Sequence, residues 1–154
     1  MSDSTQAPFF IDNEVIRLTQ NGVWLADGIE ITHEGTQKLF AKSLKKDGQG
    51  YYLQVGRETK RIEVEDTAYF VVRVDGDPLN GFKVLINDER QEALNPYTLK
   101  YRPGRLSCMI ARAENLEEAK FQRAAYFDFL QNLREDGACY FLEIQKQKMI
   151  LARK

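Results

Sequence analysis

Residues 51–66 read YYLQVGRETKRIEVED, and this stretch decides the fold because its pattern is that of two strands joined by a polar turn. In the second strand, Ile62 and Val64 point to one face, and the charged residues between them point to the other. A helix capped by Thr32 and running to about Lys46 is predicted to precede the strand pair. An Asp-Gly break ends that helix, so the predicted unit is a helix followed by a hairpin.

A second copy of this unit occurs later in the chain. Shifting the numbering by 89 leaves six of the sixteen positions from 40 to 55 identical, namely Phe40/Phe129, Leu44/Leu133, Asp47/Asp136, Gly48/Gly137, Tyr51/Tyr140 and Leu53/Leu142. A chance match is the alternative, since choosing the best of many shifts yields two or three identities by itself. Because the identities follow the predicted local structure, we expect a true duplication.

Length and element order predict the architecture. The 154 residues, 43% apolar and 29% charged, are typical of one soluble domain or two very small ones. Hairpins rather than helical crossovers join the strands, which favours antiparallel sheet and the α+β class over a doubly wound fold. We predict an N-terminal arm over 1–13, a first α+β repeat over 14–75 and a second over 76–154, packed as one compact unit. The second repeat has a helix near 116–134, and Phe9–Ile11 of the arm is expected to dock on the body.

Composition also restricts the partners. A net charge of −1 makes nucleic acid an unlikely partner, and no stretch is apolar for long enough to cross a bilayer. The first residues lack the basic and apolar regions of a signal peptide, so we expect a cytoplasmic protein. Cys108 and Cys139 are interpreted as buried small hydrophobes, with a disulfide or redox pair as the alternative.

No catalytic motif is present. The single histidine, His33, excludes most histidine-based zinc sites and triads, and its place before a helix favours a surface or capping role. Glu63 and Glu65 share a strand face at a spacing that suits a metal or an acid/base pair, but Arg61 beside them favours a solvated charge ladder. We therefore expect no enzyme activity, no metal and no cofactor; catalysis by these glutamates or Asp66 is the weaker hypothesis.

The strongest electrostatic feature is the segment from Ala93 to Ala113. It has no acidic residue, and it carries four cations and two tyrosines: Lys100, Arg102, Arg105, Arg112, Tyr97 and Tyr101. Arginine forks and tyrosine rings suit a flat, anionic ligand. The segment also joins the two proposed repeats. The alternative is that these cations pair with carboxylates on neighbouring strands, such as Glu63, Glu65 or Asp88.

Two functions follow as hypotheses. The first is a non-catalytic ligand-binding or sensing module, which binds an anionic, nucleotide-like small molecule between the two halves. The residues assigned to that site are Trp24, Lys60, Tyr97, Lys100, Arg102 and Arg105. The second is a protein-interaction or homodimerisation module without a small ligand, which uses a barrel edge and the Phe9–Ile11 arm.

The order of several motifs resembles a known family. Trp24 with Asp27-Gly28, the Leu39-Phe40 helix, the Tyr52-Leu53 strand and the string Ile62–Asp66 resemble the bacterial family called domain of unknown function 1285 (DUF1285). The resemblance implies a duplicated α+β fold whose second half is like a pleckstrin-homology-type barrel capped by a helix. It implies no assigned activity, and a binding role between the halves in signalling.

Overall fold

A computed structural model describes residues 8–154, so the prediction for the first seven residues of the arm lies outside the described residues. The chain divides into two compact units, Met1–Ala68 and Tyr69–Lys154. No helix among the described residues has the length and apolarity needed to cross a membrane. Cys108 and Cys139 are both buried free thiols, which confirms their interpretation as small core residues.

The first unit consists of one six-stranded sheet and one helix. Its elements are β1 (Ile16–Leu18), β2 (Trp24–Ala26), β3 (Ile29–Glu30), α1 (Glu34–Lys42), β4 (Leu44–Asp47), β5 (Gly50–Val55) and β6 (Glu58–Val64). The strand order is β3-β2-β1-β6-β5-β4. Neighbours pair antiparallel except β1 and β6, which run parallel.

The first helix is shorter than the sequence predicted. His33, not Thr32, is the N-cap: its Nδ1 accepts a hydrogen bond from the Thr36 amide at 3.1 Å, which confirms the capping role expected for this histidine. The helix ends at Lys42 because the Ser43 hydroxyl donates to the Leu39 carbonyl at 2.6 Å. The predicted extension of the helix to Lys46 was wrong, since the residues after Ser43 form β4 and pair with β5 instead of completing another helical turn.

The second unit contains a six-stranded sheet, a three-stranded sheet and one α-helix. Its elements are β7 (Tyr69–Asp77), β8 (Gly81–Ile86), β9 (Gln91–Ala93), a 3-10 turn (Pro96–Thr98), β10 (Lys100–Arg102), β11 (Arg105–Arg112), β12 (Asn115–Phe121), α2 (Arg123–Leu130), β13 (Arg134–Glu135), β14 (Cys139–Ile144) and β15 (Gln147–Arg153). The strand orders are β10-β11-β12-β7-β8-β9 and β13-β14-β15.

The second helix was predicted too long at both ends. It was expected near 116–134, but Asn115–Phe121 is strand and α2 covers only Arg123–Leu130. Along this strand Glu117, Ala119 and Phe121 are buried in alternation, so the buried positions have the two-residue period of a strand, and this strand pairs with β11.

Strand register confirms the duplicated architecture. Val55 pairs with Glu58 on β5 and β6, and the positions 89 residues later, Ile144 and Gln147, pair on β14 and β15. The equivalence continues up the hairpins, through Lys45↔Tyr52 and Arg134↔Phe141 as well as Leu53↔Lys60 and Leu142↔Met149. Each unit therefore contains one helix followed by three strands in the same register: α1-β4-β5-β6 and α2-β13-β14-β15.

The repeated Asp-Gly turn has the same electrostatic construction in both copies. Asp47 accepts from the Gln49 amide at 2.9 Å, and both its oxygens accept from Arg61 at 2.8 and 2.7 Å. Asp136 accepts from the Ala138 amide at 2.8 Å and from the Lys148 ammonium at 3.1 Å. In both hairpins a cation on the third strand crosses to the aspartate that closes the first turn.

Truncating the equivalent core leucines is expected to destabilise the protein to a similar extent in both repeats. Leu53 is 0% and Leu142 is 1% exposed. Leu53→Ala and Leu142→Ala should each lower the free energy of unfolding by about 2–5 kcal/mol, because buried leucines lose transfer energy and leave cavities. Urea unfolding measures the change. The matched control Gln54→Ala, at an exposed neighbour, should stay within about 0.5 kcal/mol, and a similar loss there would contradict the assignment.

The pKa of Asp47 is lowered from its ordinary 3.8 to about 2, chiefly by the hydrogen bond from Arg61 and then by the Gln49 amide. Because the folded-state pKa is depressed, the contribution to stability is present above about pH 4 and is lost as the pH falls through about 2. Arg61→Gln should raise the pKa toward its ordinary value, as measured by carboxyl ¹³C NMR titration. Arg57→Gln, at an exposed turn arginine of the same hairpin, should leave it unchanged.

Candidate functional site

The residues assigned to a ligand site lie in both units. Trp24 and Lys60 belong to the first unit; Tyr97, Lys100, Arg102 and Arg105 belong to the second. Trp24 is 3% exposed, and its ring meets Phe40 edge-on with 5.3 Å between centroids. The Lys60 ammonium donates to the Ile11 carbonyl at 3.0 Å. In the first unit, both residues thus have intramolecular partners.

Three of the second-unit cations share one face of the sheet. The segment 93–113 is built into the six-stranded sheet as β10 and β11. Lys100 pairs with Ser107 and Arg102 pairs with Arg105 across an antiparallel ladder, and directly paired residues project to the same side. We call Lys100, Arg102 and Arg105 the cationic face.

The hairpin that carries this face is held by the helix of the same unit. The turn between β10 and β11 is Pro103-Gly104, and Gly104 adopts a φ of 89°, a left-handed conformation that glycine enters without a steric penalty. Its amide donates to the Tyr126 hydroxyl on α2 at 2.6 Å. Tyr101, between the two exposed cations, points to the opposite face and packs edge-on against Tyr140 at 5.5 Å. The strand therefore exposes its two cations and turns its half-buried tyrosine to the other face.

Glu118 fixes Arg105 within the cationic face. Its Oε2 accepts from Arg105 Nη1 at 2.9 Å and from the Ser107 hydroxyl at 2.6 Å. Burial acts to raise the pKa of Glu118, but the hydrogen bonds from Arg105 and Ser107, with the charge of Lys100, outweigh it and lower the pKa. Glu118 is thus a carboxylate that orients the arginine, and it neutralises only one of the three cations.

Lys100 and Arg102 are the available charges of the face. Both side chains are exposed, and neither makes an ion pair or a side-chain hydrogen bond with any residue between 8 and 154, although the charge of Lys100 acts on Glu118 at longer range. Tyr97 is 78% exposed in the 3-10 turn before β10, where its amide donates to Asn95 Oδ1 at 3.0 Å. Its ring stacks on no other aromatic residue in the described part of the chain. Two solvated cations and one solvated ring thus lie within six residues of each other.

Arg112 has a different role from the other cations of the segment. It is 8% exposed and donates to both oxygens of Asp88 at 2.7 and 3.1 Å, while its Nη1 lies 2.8 Å from Glu92. The alternative that strand carboxylates pair with these cations is confirmed for Arg112 and Asp88. Burial raises the pKa of the adjoining Tyr69 to about 12, which keeps its hydroxyl neutral. This cluster stabilises the sheet interior.

Glu63 and Glu65 form the expected charge ladder, but with a different arginine. Arg17 on β1 reaches Glu63 at 2.6 Å and Glu65 at 3.5 Å, because the parallel pairing places Arg17 directly beside Glu63. Arg61 instead crosses to Asp47. Sequence reasoning named the wrong partner because the parallel contact between β1 and β6 has no local signal.

Sequence reasoning also missed two residues. Glu118 was assigned to a helix, so its position beside Arg105 could not be predicted; the strand-like alternation of Glu117, Ala119 and Phe121 was the available signal. Glu58 was noted only as a neighbour of Lys60. Its carboxylate accepts from two consecutive amides near the start of the described chain, those of Phe9 and Phe10.

The comparisons with known proteins agree with this architecture. Residues 4–67 match the family model described as Domain of unknown function (DUF1285), N-terminal domain. The chain resembles the DUF1285 family. That resemblance was predicted from the motifs of the first half, and it is confirmed. A search of curated proteins found no match.

Two solved DUF1285 structures share the fold. One is the crystal structure of a DUF1285 family protein from Silicibacter pomeroyi DSS-3, with a TM-score of 0.66 and 16% identity over 90% of this chain and 79% of that chain. The other, from Shewanella baltica OS155, has a TM-score of 0.58 and 20% identity over 79% of this chain and 94% of that chain. At these identities the likeness establishes the fold alone.

Breaking the buried Asp88–Arg112 pair is expected to destabilise the protein strongly. Asp88→Asn should lower the free energy of unfolding by about 3 kcal/mol, because the guanidinium stays buried with one carboxylate fewer. Urea unfolding measures it. Asp75→Asn, the same substitution in the exposed pair with Arg73, should cost less than about 1 kcal/mol. Equal losses in the two variants would show that burial does not set the strength of the pair.

Proposed function

We propose that this DUF1285-like protein is a non-catalytic ligand-binding or sensing module that binds an anionic, nucleotide-like small molecule on its cationic face. The observation that carries the proposal is the solvent exposure of Lys100 and Arg102, whose side chains form no ion pair or hydrogen bond among the described residues, beside an Arg105 that Glu118 orients. A role in signal transduction is part of the same proposal, since a binding module without catalytic groups acts through occupancy.

The charge arrangement favours an anion. Arg102 and Arg105 are directly opposite each other on adjacent strands, and like charges in that position repel. A phosphate between them would replace the repulsion by charge-assisted hydrogen bonds, and the two planar guanidinium groups suit its oxygens. Because Glu118 and Ser107 hold Arg105, little side-chain entropy is lost there when a ligand binds.

The proposed site contains fewer residues than the site predicted from the sequence. It rests on Lys100, Arg102 and Arg105, with Tyr97 as the ring that stacks on a base. Trp24 packs in the core of the first unit and Lys60 binds the Ile11 carbonyl, so neither residue is part of the site proposed here. A pleckstrin-homology-type barrel in the second half is also kept as a proposal. It is supported by the strands β7–β12 followed by the helix α2, in which all neighbours pair antiparallel except β7 and β12, which pair parallel.

Ligand binding is tested by thermal unfolding with a panel of nucleotides and inorganic phosphates. A ligand with a dissociation constant of about 10 μM should stabilise the protein by about 2.7 kcal/mol at a hundredfold excess. Arg102→Gln should reduce that stabilisation by weakening the affinity about tenfold or more, since it removes a charge-assisted contact. Glu118→Gln should preserve or strengthen the affinity, because it removes the negative charge beside the site.

The control is Arg73→Gln, which changes the net charge by the same amount at an exposed arginine on β7 that pairs with Asp75. It should leave the affinity within about twofold. β7 is three strand positions from β10 in the sheet, or about 14 Å at about 4.8 Å per strand, and exposed charges at that separation are largely screened. The proposal is abandoned if no compound in the panel shifts the unfolding temperature at millimolar concentration. Equal weakening by Arg73→Gln and Arg102→Gln would reduce it to a non-specific charge effect.

A further inference from the structure

Two side chains of β6 hold three main-chain groups of the N-terminal segment 9–11. The two carboxylate oxygens of Glu58 accept separately from the Phe9 amide at 2.8 Å and the Phe10 amide at 3.1 Å. The Lys60 ammonium donates to the Ile11 carbonyl at 3.0 Å. One carboxylate that accepts from two consecutive amides fits a bent backbone, and the segment bends at Phe9 and Phe10. With the Lys60 donor, these contacts recognise main-chain groups whatever the side chains are.

Beside these contacts lies an aromatic pocket. Phe10 is 8% exposed, and its ring centroid lies 6.3 Å from that of Phe40, which in turn meets Trp24 at 5.3 Å. Phe9 covers the edge of Phe10 at 5.0 Å and remains 44% exposed. Backbone recognition by Glu58 and Lys60 is therefore combined with selection of one aromatic side chain.

The segment is attached so that it can leave without breaking the sheet. Residues 9–11 form no strand pairs, and the first ladder begins at Ile16. Between them the chain turns, with the Glu14 amide donating to the Ile11 carbonyl at 3.3 Å and Asn13 at a φ of 68°. A groove of about 470 Å³ separates this turn from Thr59–Glu63 of β6.

We propose that Glu58, Lys60 and the Phe40 pocket form a peptide-recognition site for a bent segment of a partner protein that presents an aromatic residue. The chain's own residues 9–11 occupy the site as an intramolecular competitor. Main-chain hydrogen bonds supply affinity and the pocket supplies specificity, a division of roles that is common in peptide recognition. The polarity of the Glu58–Lys60 pair, which matches an N–H, N–H, C=O series, identifies a peptide backbone as the occupant.

The test uses the full-length Phe10→Ala variant and a synthetic peptide with the sequence of residues 8–14, PFFIDNE. Trp24, the single tryptophan, reports occupancy by fluorescence, and NMR shifts locate the site. The variant should bind the peptide at least tenfold more tightly than the wild-type chain does, because its own segment no longer fills the pocket. A peptide with alanine in place of Phe10 should bind at least tenfold more weakly.

The matched pair of site variants is Glu58→Gln and Glu63→Gln, each made in the Phe10→Ala background. Both are on β6 and remove one negative charge. The first should weaken peptide binding at least tenfold, and the second, which alters only the ladder with Arg17, should leave it unchanged. Equal effects from the two variants would overturn the assignment of Glu58.

If the Phe10→Ala variant does not fold, Phe10→Leu is used in its place. If neither variant folds, binding is measured with the wild-type chain at about tenfold higher peptide concentration. Failure of the folded chain to bind the peptide at about 5 mM overturns the proposal. A wild-type dimer that dissociates on the same substitution would assign the site to a second copy of this chain and overturn the choice of a partner protein.

Discussion

The two-residue period of the β-strand is the constraint on which the rest of the structure depends. Along β11, Leu106, Cys108 and Ile110 fall on one side and are buried, so Arg105 must project to the other. The same alternation on β10 sends Tyr101 inward and places Lys100 and Arg102 beside Arg105. The cationic face thus follows from the register that buries the apolar residues.

The side of β11 to which each residue projects also explains why Arg105 and Arg112 have different environments. Arg112 projects to the same side of β11 as the buried apolar residues. Its guanidinium is therefore removed from water, and the carboxylates of Asp88 and Glu92 compensate its charge. Arg105 projects to the opposite side of β11, where Glu118 and Ser107 bind its guanidinium and its side chain remains 19% exposed. One arginine is therefore buried in the interior, and the other lies at the surface, where the proposed ligand would meet it.

The first unit presents a different kind of recognition. In the cationic face, side-chain charges are offered to solvent, whereas Glu58 and Lys60 act on main-chain groups that belong to the protein itself. The two proposed sites share no residue, and one prefers an anion while the other prefers a polypeptide. In each proposed site, the charged side chains that would bind are on β-strands.

The sequence by itself determined the α+β class, the duplication and the buried faces of the hairpins, because these depend on local alternation and on a repeat that one shift of 89 reveals. It overextended both helices, since Leu44 and Phe121 suit the core from a strand as well as from a helix. Only the tertiary structure decided the partners of Arg17, Arg105 and Glu58, which lie 46, 13 and 48 or 49 residues away. Such contacts depend on which strands become neighbours, and the pattern along one strand contains no information about that choice.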